Sequence, residues 1–555
     1  MSPYLPYQQP GDVDPPLPSP EVLSRHRARV LDPSDAVLLK GQQIRSTLYV
    51  ADQLLVSPQS RPEVVHAIRE AAGGLGLDAI FAAPPRGGEA AAVLVTLVPR
   101  VGTAVQPDAW VVLQRARAAV GRRRGGWREI TRWVGPSARR RRPPAAGLEP
   151  KEGEYDLEGV GLNHLGSITP GGVIGQWEPH PPPPGGVRSL YGGSTISEYG
   201  RPGLGGRTPV LYMGQRPRRR NGLNTRRPVV AVLDMGCAKH EWLPMNGGVV
   251  NRTPRLDGTD VGMPGPGLEI PFSDGPMDGG LHWAFGHGTF TCGLVRQTCP
   301  DADLVAARVV SPDGMFDEWT LAVALERIYE LARRWIDGDP GGLPVDVVSL
   351  SLGYYHEQLT DPWAGGAIRA ALQKLGLIGV SVVAAAGNDA TRRKLFPAAW
   401  SEWPPAGDSA PLISVGALNL DGSVALFSNS DDWVRHWERG VALVSSVPHH
   451  NGGANASAEA VDPSQQRRRS FDPDYYRGYA IWSGTSFAAP VLAGKLARRL
   501  LRNSENPGMS LDEQNRDAAI QRALAAVGHY VRPPTAFGLA ELGPLVPVQP
   551  GPGPR

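Results

Sequence analysis

From Pro228 onward, short apolar runs rich in valine alternate with longer segments of helical periodicity. The apolar runs are PVVAVLD at 228–234, DLVAARVV at 303–310, VDVVSLSL at 345–352, VSVVAAAG at 380–387 and PLISVGA at 411–417. Two of the intervening segments carry an apolar helix face, formed by Leu321, Leu325, Ile328 and Leu331 and by Ile368, Leu372 and Leu375. Near-continuous apolar runs are typical of strands covered on both faces. The pattern predicts an α/β fold with a parallel central sheet flanked by helices.

Four polar residues stand where such a fold places functional groups. Asp234 ends the first apolar run and Asn388 follows the fourth, while His287 and Ser486 each begin a helical segment. In parallel α/β sheets, ligands bind at the carboxyl ends of strands and at the amino ends of the following helices. Taken singly, each residue also has a structural interpretation as a helix cap, a turn residue or a surface histidine.

Together these residue types match the needs of nucleophilic catalysis. A serine hydroxyl becomes a useful nucleophile when an imidazole removes its proton and a carboxylate orients the imidazole. Ser486, His287 and Asp234 supply those groups, and the Asn388 amide is a candidate donor to an oxyanion. Glycines on both sides of His287 permit close approach of another backbone.

The order of these residues and their local sequences resemble the subtilase family of serine peptidases. That family carries Asp-Thr/Ser-Gly, His-Gly-Thr, Ala-Ala-Gly-Asn and Gly-Thr-Ser-x-Ala-x-Pro motifs in this order. The matching stretches here are DMG at 234–236, HGT at 287–289, AAGN at 385–388 and GTSFAAP at 484–490. One position departs from the pattern, because Met235 stands where the family usually has a hydroxyl that helps to fix the aspartate.

The resemblance implies a subtilisin-like serine endopeptidase. In it Ser486 attacks the scissile carbonyl, His287 accepts and returns the proton, Asp234 orients His287, and Asn388 binds the oxyanion together with a backbone N–H. This chemistry requires no cofactor. Structural calcium is common in the family, but no cluster of ligands in this sequence is specific enough to assign it.

A further match is the stretch Ser351, Leu352 and Gly353, which resembles the family strand that binds substrate. Such a strand holds an extended peptide through main-chain hydrogen bonds, and side-chain pockets then select residues. An ordinary core strand is the other interpretation of this stretch. Tyr354 and Tyr355, which follow, are candidates for lining the cleft or for surface aromatics.

Three other functions make different demands on these residues. An α/β-hydrolase requires Gly-x-Ser-x-Gly and the order Ser, Asp, His, whereas here Ala488 breaks the motif and the order is Asp, His, Ser. The run VVAVLDMG lacks the Gly-x-Gly-x-x-Gly turn of a dinucleotide site. A pseudoprotease that binds peptides without turnover stays open, with Met235 as its support.

The region at 41–168 predicts a separate small domain. Strand-like runs at 47–56, 77–82 and 91–98, with helical segments that open near Pro62 and Pro107, give the order β-α-β-β-α, and the stretch at 160–168 is a candidate fourth strand. This order favours an α+β ferredoxin-like domain. It resembles the propeptide domain that precedes many subtilase domains and assists their folding or blocks their cleft.

Composition defines the remaining boundaries. Residues 1–40 are Pro-rich and predict a flexible arm, 169–226 are rich in Gly, Pro and Arg and predict a linker, and 546–555 predict a flexible tail. The peptidase domain is expected over 227–545. Cleavage in the Arg-rich part of the linker, at 216–227, is the hypothesis for separating the two domains.

Charge and cysteine content limit the partners. The net charge of +3 gives no strong field for nucleic acid or membrane, and solvated loops are favoured over nucleic-acid contact for the arginine runs. The expected partners are a protein or peptide substrate and the chain's own N-terminal domain. No secretory signal or apolar span of 18 residues is visible, so a cytoplasmic location is expected, with non-classical export open. Three cysteines fit either one disulfide or free thiols.

Overall fold

The computed structural model describes most of the chain. The described residues are 17–82 except 59 and 61, 92–123, 157, 159–168, 206–244, 248–265, 267–272, 281–358, 366–402, 408–452, 459–461, 467–469 and 472–528. Within them the elements form a smaller N-terminal unit and a larger unit. The predicted tail at 546–555 lies outside the described residues.

The smaller unit contains the strands and helices expected from its periodicity. Its elements are α1 (Pro20–Arg25), β1 (Ala28–Leu31), β2 (Thr47–Val56), α2 (Pro62–Gly73), β3 (Leu77–Phe81), β4 (Val93–Pro99), α3 (Ala109–Arg123) and β5 (Val160–Ser167). The sheet order is β5-β2-β4-β3, every pair is antiparallel, and β1 pairs with the first half of β2. Helices α2 and α3 contribute Ile68, Trp110 and Leu113 to the core beside this sheet.

The N-terminal arm differs from its prediction, because part of it is folded. Ser19 caps α1 by accepting a hydrogen bond from Val22, and Pro20 occupies the first turn, where its missing N–H costs nothing. Strand β1 then pairs antiparallel with the first half of β2. Pro20 thus begins a helix and does not indicate a flexible segment. Residues 1–16 of the predicted arm lie outside the described residues.

The larger unit holds the remaining elements. They are β6 (Thr208–Pro209), β7 (Val229–Asp234), β8 (Val250–Asn251), β9 (Arg255–Leu256), β10 (Thr259–Asp260), α4 (His287–Thr298), β11 (Asp303–Arg308), β12 (Met315–Asp317), α5 (Glu318–Asp337), β13 (Val347–Leu350), β14 (Tyr354–Tyr355), α6 (Gly366–Leu377), β15 (Ser381–Ala385), β16 (Leu395–Phe396), a 3-10 helix (Ala398–Glu402), β17 (Leu412–Leu418), β18 (His436–Arg439), β19 (Leu443–Ser446), β20 (His450–Asn451), β21 (Glu459–Val461), β22 (Arg467–Arg469), β23 (Tyr475–Tyr476), β24 (Tyr479–Trp482), α7 (Thr485–Asn503) and α8 (Arg516–Val527).

Seven strands form the predicted parallel sheet, in the order β18-β17-β15-β13-β7-β11-β8. Alternate residues of β7 face opposite layers, since side chains of a strand alternate between its two faces. Val229 and Leu233 join the core that includes α5 and α6, while Val230 and Val232 join the core that includes α4 and α7. The sheet is thus covered on both faces, as its sequence predicts.

The segment at 206–227 differs from the predicted free linker. Arg226 forms two 2.7 Å hydrogen bonds with Asp346, and Arg220 and Arg227 both bind Asp301. Strand β6 also pairs with β24. Composition alone indicated a solvated linker, but acidic partners distant in sequence hold these arginines against the larger unit. These contacts weigh against cleavage at 216–227.

Cys237, Cys292 and Cys299 are buried free thiols, so the structure contains no disulfide between them. No helix among the described residues is both long and apolar enough to span a membrane.

Candidate active site

Three adjacent strands of the parallel sheet bring predicted site residues to one edge. Asp234 is the last residue of β7, Ser351 follows β13, and Asn388 follows β15, and these strands are neighbours in the order β15-β13-β7. Because the strands are parallel, their carboxyl ends share the same edge. Helices α4 and α7 begin with His287 and Thr485-Ser486.

The predicted aspartate and histidine are hydrogen-bonded. Nδ1 of His287 lies 2.9 Å from Oδ1 and 3.0 Å from Oδ2 of Asp234, and both side chains are buried. Glycine makes this approach feasible: a Cβ added to Gly288 would lie 2.1 Å from the carbonyl oxygen of Gly236. Gly286 and Gly236 also adopt positive φ angles of 89° and 100°, which favour glycine.

The backbone supports the carboxylate beside the unusual methionine. The N–H of Met235 donates to Oδ1 of Asp234 at 2.7 Å, and the Met235 side chain is buried in the core. The Thr291 hydroxyl lies 3.5 Å from Oδ2 and donates at 2.8 Å to the carbonyl of Gly288. Asp234 therefore retains a close donor although residue 235 has no hydroxyl.

Ser486 lies in the first turn of α7, beside Ser351, which follows β13. Its hydroxyl donates to the carbonyl oxygen of Ser351 at 3.1 Å, and the Ser351 hydroxyl donates in return to the carbonyl of Ser486 at 2.7 Å. Nε2 of His287 is buried and has no hydrogen-bond partner among the described residues. The rings of Trp482 and Phe487 lie 5.7 and 5.2 Å from the His287 ring. The Ser486 hydroxyl is thus bonded to the Ser351 carbonyl and not to His287.

Asn388 has one end of its amide fixed. Its Oδ1 accepts hydrogen bonds of 2.9 Å from both the N–H and the hydroxyl of Thr485. The Thr485 hydroxyl also accepts from the N–H of Gly387 at 3.1 Å. These bonds orient the Nδ2 donor, which lies 3.3 Å from the position of a Cβ on Gly484. The donor therefore stands next to the turn that leads into Ser486.

A buried glutamate that the sequence analysis did not select supports the histidine helix. Glu269 accepts hydrogen bonds from the N–H groups of Gly288 and Thr289 at 3.3 and 2.9 Å and from the Thr289 hydroxyl. Burial raises the pKa of Glu269 to about 7, against the effect of the bonds from Thr289. A carboxylate at a helix N-terminus satisfies free N–H groups and complements the helix dipole. No motif marks Glu269, because its partners lie 19 and 20 residues away.

The end of β5 from the N-terminal unit lies between β12 and Gly353, and this space is called the groove below. Ser167 and Gly353 exchange backbone hydrogen bonds of 3.1 and 3.0 Å, and the N–H of Ile168 donates to the carbonyl of Gly314 at 2.9 Å. On its other side, β5 pairs antiparallel with β12. Of the predicted substrate strand, Ser351 contacts Ser486, Leu352 is buried in the core, and Gly353 pairs with this segment.

Tyr354 and Tyr355, which follow Gly353, neither lie at the surface nor line an open cleft. Tyr354 and Tyr355 are buried, Tyr354 stacks on His164 of β5, and the Tyr355 hydroxyl donates to Asp389 at 2.6 Å. Both belong to contacts within and between the two units, because the N-terminal unit covers this part of the larger one.

Sheet and site together define a class: parallel α/β proteins that bring an aspartate, a histidine and a helix-borne serine to one sheet edge. Comparison with protein families then gives a narrower assignment. The model of the subtilase family matches residues 225–538, more than half of the chain. The chain belongs to the subtilase family.

Two individual relatives are each less than 30% identical to this chain. An intracellular serine protease of Paenibacillus polymyxa is 27% identical over 242 residues, which cover 41% of this chain and 56% of the relative. The chain thus spans little more than half the length of that relative. A solved cold adapted subtilisin-like serine proteinase is 22% identical, with a TM-score of 0.31 over 54% of this chain and 86% of the other.

Proposed function

We propose that this chain is a serine endopeptidase that hydrolyses peptide bonds in protein or peptide substrates through Asp234, His287 and Ser486. The observation that carries the proposal is the buried Asp234–His287 pair, 2.9 Å apart, at the sheet edge that also presents Ser486 and Asn388. Membership of the subtilase family supports it. The relative named as intracellular supports a cytoplasmic location as part of the same proposal.

The proposed reaction uses only side-chain and backbone groups. Rotation about χ1 turns the Ser486 hydroxyl from the Ser351 carbonyl towards Nε2 of His287, the ring nitrogen without a partner among the described residues. His287 takes the proton as the serine oxygen attacks the carbonyl carbon, and Asp234 holds Nδ1–H so that Nε2 is the basic nitrogen. His287 then protonates the leaving amine, and water hydrolyses the acyl-enzyme by the same steps in reverse.

Oxyanion stabilisation is assigned to two donors. Nδ2 of Asn388 is oriented by the bonds from Thr485 to the other end of its amide. The N–H of Ser486 belongs to the first turn of α7, where N–H groups have no intrahelical acceptor. Donors fixed before the reaction stabilise developing negative charge without reorganisation.

The pseudoprotease alternative rests on Met235. The 2.7 Å hydrogen bond from the Met235 N–H to Asp234 favours the enzyme, because it supplies a donor that the side chain lacks. The two functions differ in the reactivity of Ser486, since a peptide-binding module needs no activated nucleophile.

Labelling with a fluorophosphonate tests this proposal directly. We expect the wild-type chain to be labelled and Ser486→Ala to be unlabelled, because the probe reacts with an activated serine. Ser504→Ala is the matched control: Ser504 caps the far end of α7 and donates to the carbonyl of Leu501. Labelling is measured by gel fluorescence and the modified peptide is identified by mass spectrometry. No labelling of wild type, even after the N-terminal unit is released, would exclude the peptidase.

We further propose that the N-terminal unit is a propeptide-like domain of ferredoxin-like topology that inhibits the site in cis. Its core order, β2-α2-β3-β4-α3-β5 with β2 and β4 central, supports the topology. The end of β5 lies in the groove as an added strand, which is how extended peptides bind to a sheet edge. A segment that fills the groove prevents a substrate from binding there.

A buried histidine joins the two units. Nδ1 of His164 lies 2.7 Å from Glu318, Nε2 lies 2.7 Å from Glu357, and all three side chains are about 1% exposed. Burial alone would lower the pKa of His164, but the charge of Glu357 and the hydrogen bonds from both glutamates raise it to about 9. His356 and Arg117 also face this cluster, and burial lowers the pKa of His356 to about 3.

Docking of the N-terminal unit is therefore expected to weaken as pH rises from about 6.5 to 9. An undocked, solvated His164 has a pKa near 6.5, so docking takes up a proton in this interval and the docking constant falls by at most about tenfold per pH unit. Below pH 6.5 the His164 contribution is constant, and protonation of an exposed His356 would oppose docking. Hydrogen–deuterium exchange over 160–168, corrected for intrinsic rates, measures the loss of protection. His164→Gln should remove the loss of protection between pH 6.5 and 9. If protection falls with pH equally in wild type and His164→Gln, His164 does not cause the pH dependence of docking.

A further inference from the structure

We infer that the groove selects glycine at the position occupied by Gly166, so that the substrates of this chain carry Gly four residues before the cleaved bond. The inference rests on the proposed peptidase function and specifies its substrate class. It derives from how β5 fits between β12 and Gly353, and from what a side chain at residue 166 would meet.

The register of β5 fixes the position relative to Ser486. Ser167 lies opposite Gly353 in antiparallel pairing, so Ile168 lies opposite Leu352, and the next residue of a bound peptide in this register lies opposite Ser351. The Ser351 carbonyl accepts the Ser486 hydroxyl at 3.1 Å. The residue opposite Ser351 is therefore the one whose carbonyl carbon is attacked, and the Gly166 position comes three residues before it.

A side chain at the Gly166 position has no space. A Cβ built there would lie 2.6 Å from the carbonyl oxygen of Gly353 and 2.6 Å from two ring carbons of Phe316. The first obstacle is the backbone of Gly353, and the second is a ring buried in the core. Phe316 pairs directly with Gly166 across the β12–β5 ladder, so its ring lies against this position. Even alanine requires the groove to widen or the peptide to leave its register.

Two residues later, the groove accepts a branched aliphatic side chain. Ile168 is fully buried, and its Cγ1, the Cβ of Ala284 and the ring of Trp283 all lie within 3.3 Å of the position of a Cβ on Gly314. The chain's own segment thus matches the pattern Gly-x-Ile. The geometry therefore selects peptides that carry Gly-x-Ile directly before the residue whose carbonyl carbon is attacked.

The same strand offers a matched control for testing the groove. Gly161 lies in β5, and a Cβ built there has no atom within 4 Å, whereas Gly166 is closely surrounded. In the full chain, Gly166→Ala should displace the segment from the groove and raise the rate of fluorophosphonate labelling by roughly tenfold or more, the scale expected for overpacking. Gly161→Ala should label like wild type. Equal labelling rates for the two variants would overturn the inference.

Substrate preference is tested with the Gly166→Ala chain, whose groove is open to added peptides. Two sets of internally quenched peptides, Leu-Gly-Ser-Ile-Zaa-Ala-Ala and Leu-Ala-Ser-Ile-Zaa-Ala-Ala with Zaa an equimolar mixture, differ only at the glycine position. We expect kcat/KM to be roughly 10- to 100-fold higher for the glycine set, and Phe316→Ala to reduce that ratio by removing one of the two obstacles.

The outcomes separate the two proposals. Equal cleavage of both sets by a chain that labels at Ser486 refutes the glycine preference and leaves the peptidase standing. Absence of labelling and of cleavage in every variant refutes the peptidase, and the inference with it. Faster cleavage of the glycine set, with mass spectrometry placing the cut after Zaa, supports both the preference and the register.

Discussion

Asp234→Asn is expected to lower kcat by roughly ten-thousandfold, the effect that loss of the correct histidine tautomer has in serine peptidases. The surroundings of Asp234 determine how an asparagine would sit. The Met235 N–H donates to Oδ1 at 2.7 Å, so the amide oxygen of asparagine takes that place. The amide NH₂ then occupies the Oδ2 position, 3.0 Å from Nδ1 of His287. It donates to Nδ1, the ring proton moves to Nε2, and His287 can no longer accept the serine proton.

The measurement is steady-state kcat on a peptide substrate, with thermal unfolding as a check of the fold. Asp257→Asn is the matched control: Asp257 is exposed, pairs with Arg334 at the surface and has a φ of 49° that asparagine tolerates. We expect its kcat to stay within about twofold of wild type because surface ion pairs contribute little. A kcat for Asp234→Asn within tenfold of wild type would show that Asp234 does not set the tautomer.

The parallel sheet could be predicted from sequence because its signal is local. Each apolar run from Val229 to Leu418 is short, and both of its faces are buried, so the letters themselves carry the burial pattern. The order of the strands in the sheet is not local. It depends on which runs meet after the chain crosses over the helices, and no single run specifies its neighbour.

The site was predictable to the extent that its residues lie in short motifs. Asp234 and His287 each have glycine neighbours that permit their contact, and those glycines are visible in the sequence. Glu269 was missed because nothing in its own stretch indicates that it caps α4. The hydrogen-bond partner of the Ser486 hydroxyl could also not be predicted from the sequence, since a side-chain torsion depends on the packed surroundings.

The contacts between the two units show a similar limit. Composition indicated a flexible arm over residues 1–40 and a linker over 169–226. Yet Arg25 and His26, at the end of α1, both bind Asp313, and Arg226 binds Asp346. Each of these partners lies more than 100 residues away in the chain. A charged residue in a Pro- or Arg-rich stretch looks solvated until its distant partner is known.

Asn388→Ala is expected to lower kcat by roughly a hundred- to thousandfold while KM changes little, the scale known for removal of one oxyanion donor. The oxyanion exists only in the transition state and the intermediate, so a donor directed at it contributes to kcat and not to ground-state binding. Asn388 suits that role because Thr485 holds Oδ1 with two bonds of 2.9 Å, which leaves Nδ2 as the directed donor.

Thr485 provides a graded comparison for this prediction. Thr485→Ser keeps the hydroxyl that donates to Asn388 and should preserve most of kcat, whereas Thr485→Val removes that bond and keeps the one from the backbone N–H. We expect Thr485→Val to fall between wild type and Asn388→Ala, since a less firmly held donor stabilises the oxyanion less. Steady-state kinetics of the four proteins measures the series. A rise in KM at constant kcat for Asn388→Ala would instead show that Asn388 binds the substrate ground state.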